Sequence, residues 1–90
     1  RNFQARTLLG VVFNETRRFA EAEREYRAAL AVNPNFTVAQ GALGMLLSQT
    51  GKTKTALPLL EKSAGMTATR KIPQTKDLNL LFALVRTYAA

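Results

Sequence analysis

Leu9-Gly10-Val11-Val12-Phe13 is echoed 34 residues later by Leu43-Gly44-Met45-Leu46-Leu47, and this echo decides the fold. The same shift sets Ala5 on Ala39, Thr16 on Thr50, Ala22 on Ala56, Tyr26 on Leu60 and Ala29 on Ser63. A period of this length marks stacked supersecondary units. Within each unit the apolar spacing is helical. Ala5, Leu9 and Phe13 recur at i, i+4 and i+8, Leu8 and Val12 widen that stripe, and Ala22, Tyr26, Ala29 and Leu30 repeat the pattern. The polar break at 14–18 is short, which predicts two antiparallel helices per unit.

The punctuation fits this frame. Pro34 lacks an amide donor and pushes Asn33 out of the α region, so the second helix should end there. Gly51 can take the left-handed conformation that closes a helix, and Thr53 is placed to cap the next one. Gly10 and Gly44 fall inside helices, where each costs about 1 kcal/mol against alanine. A glycine at the same point of both units predicts that the paired helix passes too close for a Cβ. Pro58, about one turn into the fourth helix, should remove one backbone bond.

These residues resemble the tetratricopeptide (TPR) signature: Leu9-Gly10-x-x-Phe13, then Ala22-x-x-x-Tyr26-x-x-Ala29 and Pro34. The aromatic usual three residues before the Leu-Gly pair is replaced by Arg6 and Gln40. The second unit keeps Leu43, Gly44 and Ala56, has Leu47 and Leu60 for aromatics and Ser63 for alanine, and carries Ala68 where proline is usual. The resemblance implies an all-α, right-handed superhelix of antiparallel helix pairs. It also implies one domain over 1–90, with repeats at 3–36 and 37–70, an insertion at 71–77, and a fifth helix at 78–90. Aligning Leu81, Leu84 and Tyr88 with Arg6, Leu9 and Phe13 takes a seven-residue insertion and puts Val85 in the glycine's place. The fifth helix is then the first half of a third repeat or a terminal cap, and its few polar residues favour the former.

Composition narrows the chemistry. The 90 residues are 47% hydrophobic and 21% charged, as in ordinary globular chains, and a domain this small buries only about 60–65% of its unfolded surface. The absence of Cys and His excludes disulfides, Cys/His zinc sites, thiol catalysis and His acid–base pairs. Apolar runs such as Leu78–Val85 fall far short of the roughly 20 residues of a membrane span. The first residue is Arg1, not Met, which fits a piece of a longer protein. The compartment stays open between cytoplasm and periplasm. Thirteen basic against six acidic side chains give +7, spread along the chain without a basic block. Glu21, Glu23 and Glu25 interleave with Arg24 and Arg27, as on a solvated helix face.

Motifs with a chemical look resolve into structure. Gly51-Lys52-Thr53 lacks the glycine and the strand of a phosphate loop, and reads as a helix corner. Asn14-Glu15-Thr16 and Asn35-Phe36-Thr37 are sequons on corners. Glu21, Glu23, Glu25 and Asp77 cannot converge as a carboxylate pair, because residues two apart point to different faces. Met45 and Met66 read as packing. No catalytic constellation or cofactor site is expected.

What remains is a face. Gln4, Thr7, Val11 and Asn14 lie opposite the first helix's core stripe; Val38, Gly41, Met45 and Ser48 are their equivalents, followed by Asn79, Phe82, Arg86 and Ala89. In TPR proteins such faces line a concave groove that holds a partner peptide or helix. The resemblance therefore implies a protein-binding scaffold with an apolar strip of Val11, Met45 and Phe82 flanked by Asn14, Ser48 and Arg86. A carboxylate clamp of the co-chaperone kind is not expected, since Thr7, Val11 and Ala42 stand where its Lys and Asn residues would be. Two other readings are a basic helical-repeat module contacting nucleic acid, and self-association through the C-terminal helix.

Overall fold

Helix-forming spacing and corner chemistry produce five α-helices: α1 (Phe3–Glu15), α2 (Phe19–Val32), α3 (Thr37–Gln49), α4 (Thr53–Ser63) and α5 (Leu78–Ala89). The computed structural model describes residues 2–67 and 69–89, and these contain no strand. Ala68, the position where the repeat pattern has proline, lies outside the described residues, as do Arg1 and Ala90. Helices α1 and α2 form one pair and α3 and α4 another, joined by α2 against α3. Both pairs are antiparallel: the three-residue corner at 16–18 turns α2 back along α1, and Ser63 at the end of α4 donates to the Thr37 carbonyl at the start of α3.

The two glycines repeated in the frame, Gly10 and Gly44, sit at the helix crossings. A Cβ on Gly10 would lie 2.5 Å from Cε1 of buried Tyr26, and one on Gly44 would lie 2.9 Å from Cδ2 of buried Leu60. The core is built around α3, whose Ala39, Leu43, Leu46 and Leu47 are packed from both sides. Gln40, where the signature aromatic is missing, is 5% exposed, because its Nε2 donates to the Pro34 carbonyl at 2.8 Å. The apolar stripe of α1 departs from expectation. Leu8, Leu9 and Val12 are exposed, and only Thr7 and Gly10 are buried. The equivalents Leu43 and Leu46 are buried because α3 has α2, α4 and α5 packed around it, whereas α1 packs on α2 and only lightly on α3.

Three helix ends share one hydrogen-bond pattern. After α1, Arg18 N–H bonds the Phe13 carbonyl and Arg17 N–H that of Asn14; Lys52 to Leu47 and Gly51 to Ser48 do the same after α3, and Met66 to Glu61 and Gly65 to Lys62 after α4. The motif needs a left-handed residue. Gly51 (φ 87°) and Gly65 (φ 78°) supply it, but after α1 the residue is Arg17 at φ 64°. Lys52 thereby both closes α3 and precedes α4, so Thr53 is already helical and does not cap; no side chain caps α4. Pro58 is exposed and α4 runs through it. Left-handed backbone costs a non-glycine roughly 1–2 kcal/mol, against about 0.5–1 for glycine's extra chain entropy. Arg17→Gly should therefore raise the melting temperature by a few degrees in a thermal melt, and an unchanged or lower value would refute this account of the corner.

The segment before α5 is tied back by Gln74 N–H to the Ala64 carbonyl at 2.6 Å. Asp77 Oδ1 then accepts from the Asn79 and Leu80 amides and opens α5. Leu80 packs by Gly41, and Ser48 Oγ bonds Thr87 Oγ1 at 2.9 Å, so α5 runs parallel to α3. Its buried side is Leu80, Ala83, Leu84 and Thr87.

Tyr88 OH donates to Glu61 Oε2 at 2.7 Å and pins α5 to α4. That bond, with desolvation and the Glu61 charge, pushes the phenol up to about 12. The folded pKa is raised above the free value, so the contribution is complete below about pH 10 and fades as pH climbs toward 12. Tyr88→Phe should abolish the part of the stability loss over pH 10–12 that comes from this bond. If melts of parent and variant show the same pH dependence there, Tyr88 does not pin the helix.

Candidate functional site

The inner faces of α1, α3 and α5 enclose a cleft of about 420 Å³. Val11, Met45 and Phe82 give it apolar walls, and Asn14, Asn79 and Arg86 stand around them. A second depression of about 370 Å³ continues along the same helices past Val38 and Gly41, sharing Val11, Ala42 and Met45 with the first. The walls come from corresponding faces of three helices, because the glycine crossings turn each core stripe toward its partner helix and leave the opposite side open.

Polar groups give the cleft its character. The carboxamide oxygen of Asn14 is buried with no hydrogen-bond partner among the described residues. Such an atom usually has a partner in a folded protein, so it is an acceptor in want of a donor. Tyr26 belongs to the same lining; burial, then the charge of Glu15, raises its pKa. Glu15 and Arg86 place one negative and one positive group on the lining, and Arg86 is its one cation among the described residues.

Six of the ten expected groove residues are brought together in the first cleft: Val11, Asn14, Met45, Asn79, Phe82 and Arg86. Val38 lines the second depression. Gln4 is exposed and lines neither. Two others have structural roles. Thr7 is 3% exposed, its hydroxyl bonded to the Phe3 carbonyl at 2.7 Å, and Ser48 is spent on Thr87 in the α3–α5 contact. Gly41 is likewise a packing residue, since a Cβ there would meet Ser63 Oγ at 2.6 Å. Sequence reasoning missed Glu15, Tyr26 and Gln49, which the cleft includes. The core role of Tyr26 hid its second one.

The acidic residues of α2 face solvent and are joined to basic side chains there. Glu25 pairs with Arg6 at 3.1 Å, and Glu23 pairs with Arg27 at 3.0 Å and with Lys52 of the α3–α4 corner at 3.5 Å. Burial pushes the Glu23 pKa up, but the Arg27 bond and the Lys52 charge outweigh it and leave the net shift downward. Lys52 is thus engaged in an ion pair at a helix corner. No helix among the described residues is long and apolar enough to cross a membrane. Comparisons with protein-family models, curated proteins and solved structures give no match.

Proposed function

We propose that this chain is a non-enzymatic, tetratricopeptide-like binding module whose concave face takes a peptide or helix of a partner protein. The observation that carries the reading is the cleft itself: an apolar strip drawn from three helices, beside a buried acceptor with no partner among the described residues. An extended or helical peptide matches both features, with an apolar side chain for Val11, Met45 and Phe82 and an N–H donor for Asn14. The repeat of Gly10 and Gly44 against Tyr26 and Leu60 supports a superhelical stack of like units. Against a nucleic-acid surface, the aromatic side chain in the cleft best placed to stack, Phe82, has one cation beside it.

A displayed library of random peptides selected on the 90-residue chain tests the proposal. Enriched peptides should bind the double variant Phe82→Ala, Arg86→Ala at least about tenfold more weakly, with far-UV ellipticity unchanged because both side chains are exposed. Failure to enrich any sequence, or equal binding by the double variant, would remove the cleft as the binding surface.

A further inference from the structure

The outward side of α5 is a second surface, distinct from the cleft except at Phe82 and Arg86. Leu78, Phe82, Val85 and Tyr88 are 64, 63, 65 and 53% exposed, and they fall along one side at helical spacing with half-buried Leu81 between them. In the repeat frame Leu81, Phe82, Val85 and Tyr88 correspond to Gln40, Gly41, Gly44 and Leu47, all buried on α3. The opposite sides agree: Leu80 and Leu84 are buried like Ala39 and Leu43. What covers this arc on α3 is mainly an antiparallel helix, α4, with Leu60 over Gly44 and Ser63 over Gly41. The molecule therefore displays, one unit earlier, the kind of element that fits the open arc of α5.

Size and charge restrict that element further. Where α2 and α4 bring Tyr26 and Leu60 onto a glycine, α5 presents Val85, so the large and small partners must exchange places. Two large residues at one crossing would force the helices apart. At the two ends of the arc, Lys76, just before α5, and Arg86, within it, are exposed and in no ion pair among the described residues. The nearby carboxylates are engaged, Asp77 with the first amides of α5 and Glu61 with Tyr88. A second copy of the chain fits poorly, because each copy carries +7 and would set Arg86 near its own kind.

We propose that the outward face of α5 docks an amphipathic helix of another protein. This helix runs antiparallel to α5, carries acidic residues along its flanks and sets alanine or glycine against Val85. The proposal rests on the repeat frame and not on the occupancy of the cleft.

Synthetic helical peptides test it against the 90-residue chain by titration calorimetry. One has a leucine-rich face, a central alanine and glutamate flanks; a second has lysine flanks; a third replaces the central alanine with leucine. The first should bind at least about tenfold more tightly than either of the others. Val85→Glu, at an exposed site, should abolish that binding without loss of helicity, and Val85→Gly should shift preference toward the leucine-centred peptide. The cleft variants Val11→Ala and Met45→Ala should bind as the parent does, which separates this surface from the cleft. No saturable binding of the first peptide, or equal binding of the glutamate and lysine forms, overturns the proposal. So does a concentration-dependent dimer in ultracentrifugation that Val85→Glu removes, for the occupant is then a second copy.

Discussion

Gly44→Leu should destabilise the chain by about 3 kcal/mol or more, at the upper end of overpacking, and lower its melting temperature by roughly 12 °C or more. The first atom of the new side chain already meets Cγ and Cδ2 of Leu60 at 2.9 Å and the Leu60 backbone nitrogen at 3.2 Å. Leu60 is wholly buried and cannot swing into solvent, and the backbone nitrogen cannot move unless α4 moves. Three further carbons must then be housed in a crossing with no room for one. An opposing term exists, since leucine is the better helix former by somewhat under 1 kcal/mol, but it is several times too small to compensate. Gly44→Ala should show a milder loss because it adds only the Cβ. A leucine variant that melts within about two degrees of the parent, followed by circular dichroism, would mean that α3 and α4 do not touch there.

That crossing was legible in the sequence because a glycine inside a helix is a local loss that only a tertiary contact can justify, and it occurred twice in the same frame. Asn33-Pro34 was legible for a similar reason: the ring leaves the chain no helical choice, and Asn33 is extended at φ −134°. The unread features depend on neighbours. Leu8 and Val12 have the spacing of a core stripe, yet spacing does not say whether a second layer of helices lies over them. Thr7 and Thr87 look like surface residues, but each hydroxyl bonds the carbonyl one turn back, which removes the cost of burying it. Arg17 gave no sign of its left-handed backbone, because the corner between α1 and α2 imposes it. The candidate site divides along the same line. Apolar Val11, Met45 and Phe82 followed from the repeat frame, whereas Ser48 was lost to Thr87, a partner 39 residues away whose position depends on how the 64–77 segment folds back.

The double substitution Leu81→Asp with Leu84→Asp should melt α5 while leaving the α1–α2 pair folded. Leu84 is 2% exposed and belongs to the same apolar cluster as Leu46, Leu47 and Leu80. Losing its burial removes roughly 1.5–3 kcal/mol, and a carboxylate in its place, with no cation beside it, adds a desolvation cost of similar or larger size. Against this α5 retains Leu80, Ala83, the Ser48–Thr87 bond and the Tyr88–Glu61 bond. The Ser48–Thr87 bond contributes about 1 kcal/mol net, and the Tyr88–Glu61 bond, although charge-assisted, is weakened by solvent at a phenol that is half exposed, so the two do not offset the loss at Leu84; a free segment of 12 residues is too short to remain helical in water. Far-UV ellipticity should fall by the share of that helix, and the remaining transition should be broader and cooler, because Leu46 and Leu47 lose part of their cover. Gly10 against Tyr26 lies outside the affected contacts and holds the first pair together. Val85→Glu is the contrast: it also puts a carboxylate on α5, but at an exposed position, and should leave both ellipticity and melting close to the parent. If the double variant keeps the parent's ellipticity, or Val85→Glu matches its loss, then α5 is not held by the Leu80–Leu84 side, and the outward face assigned to its other residues loses its basis.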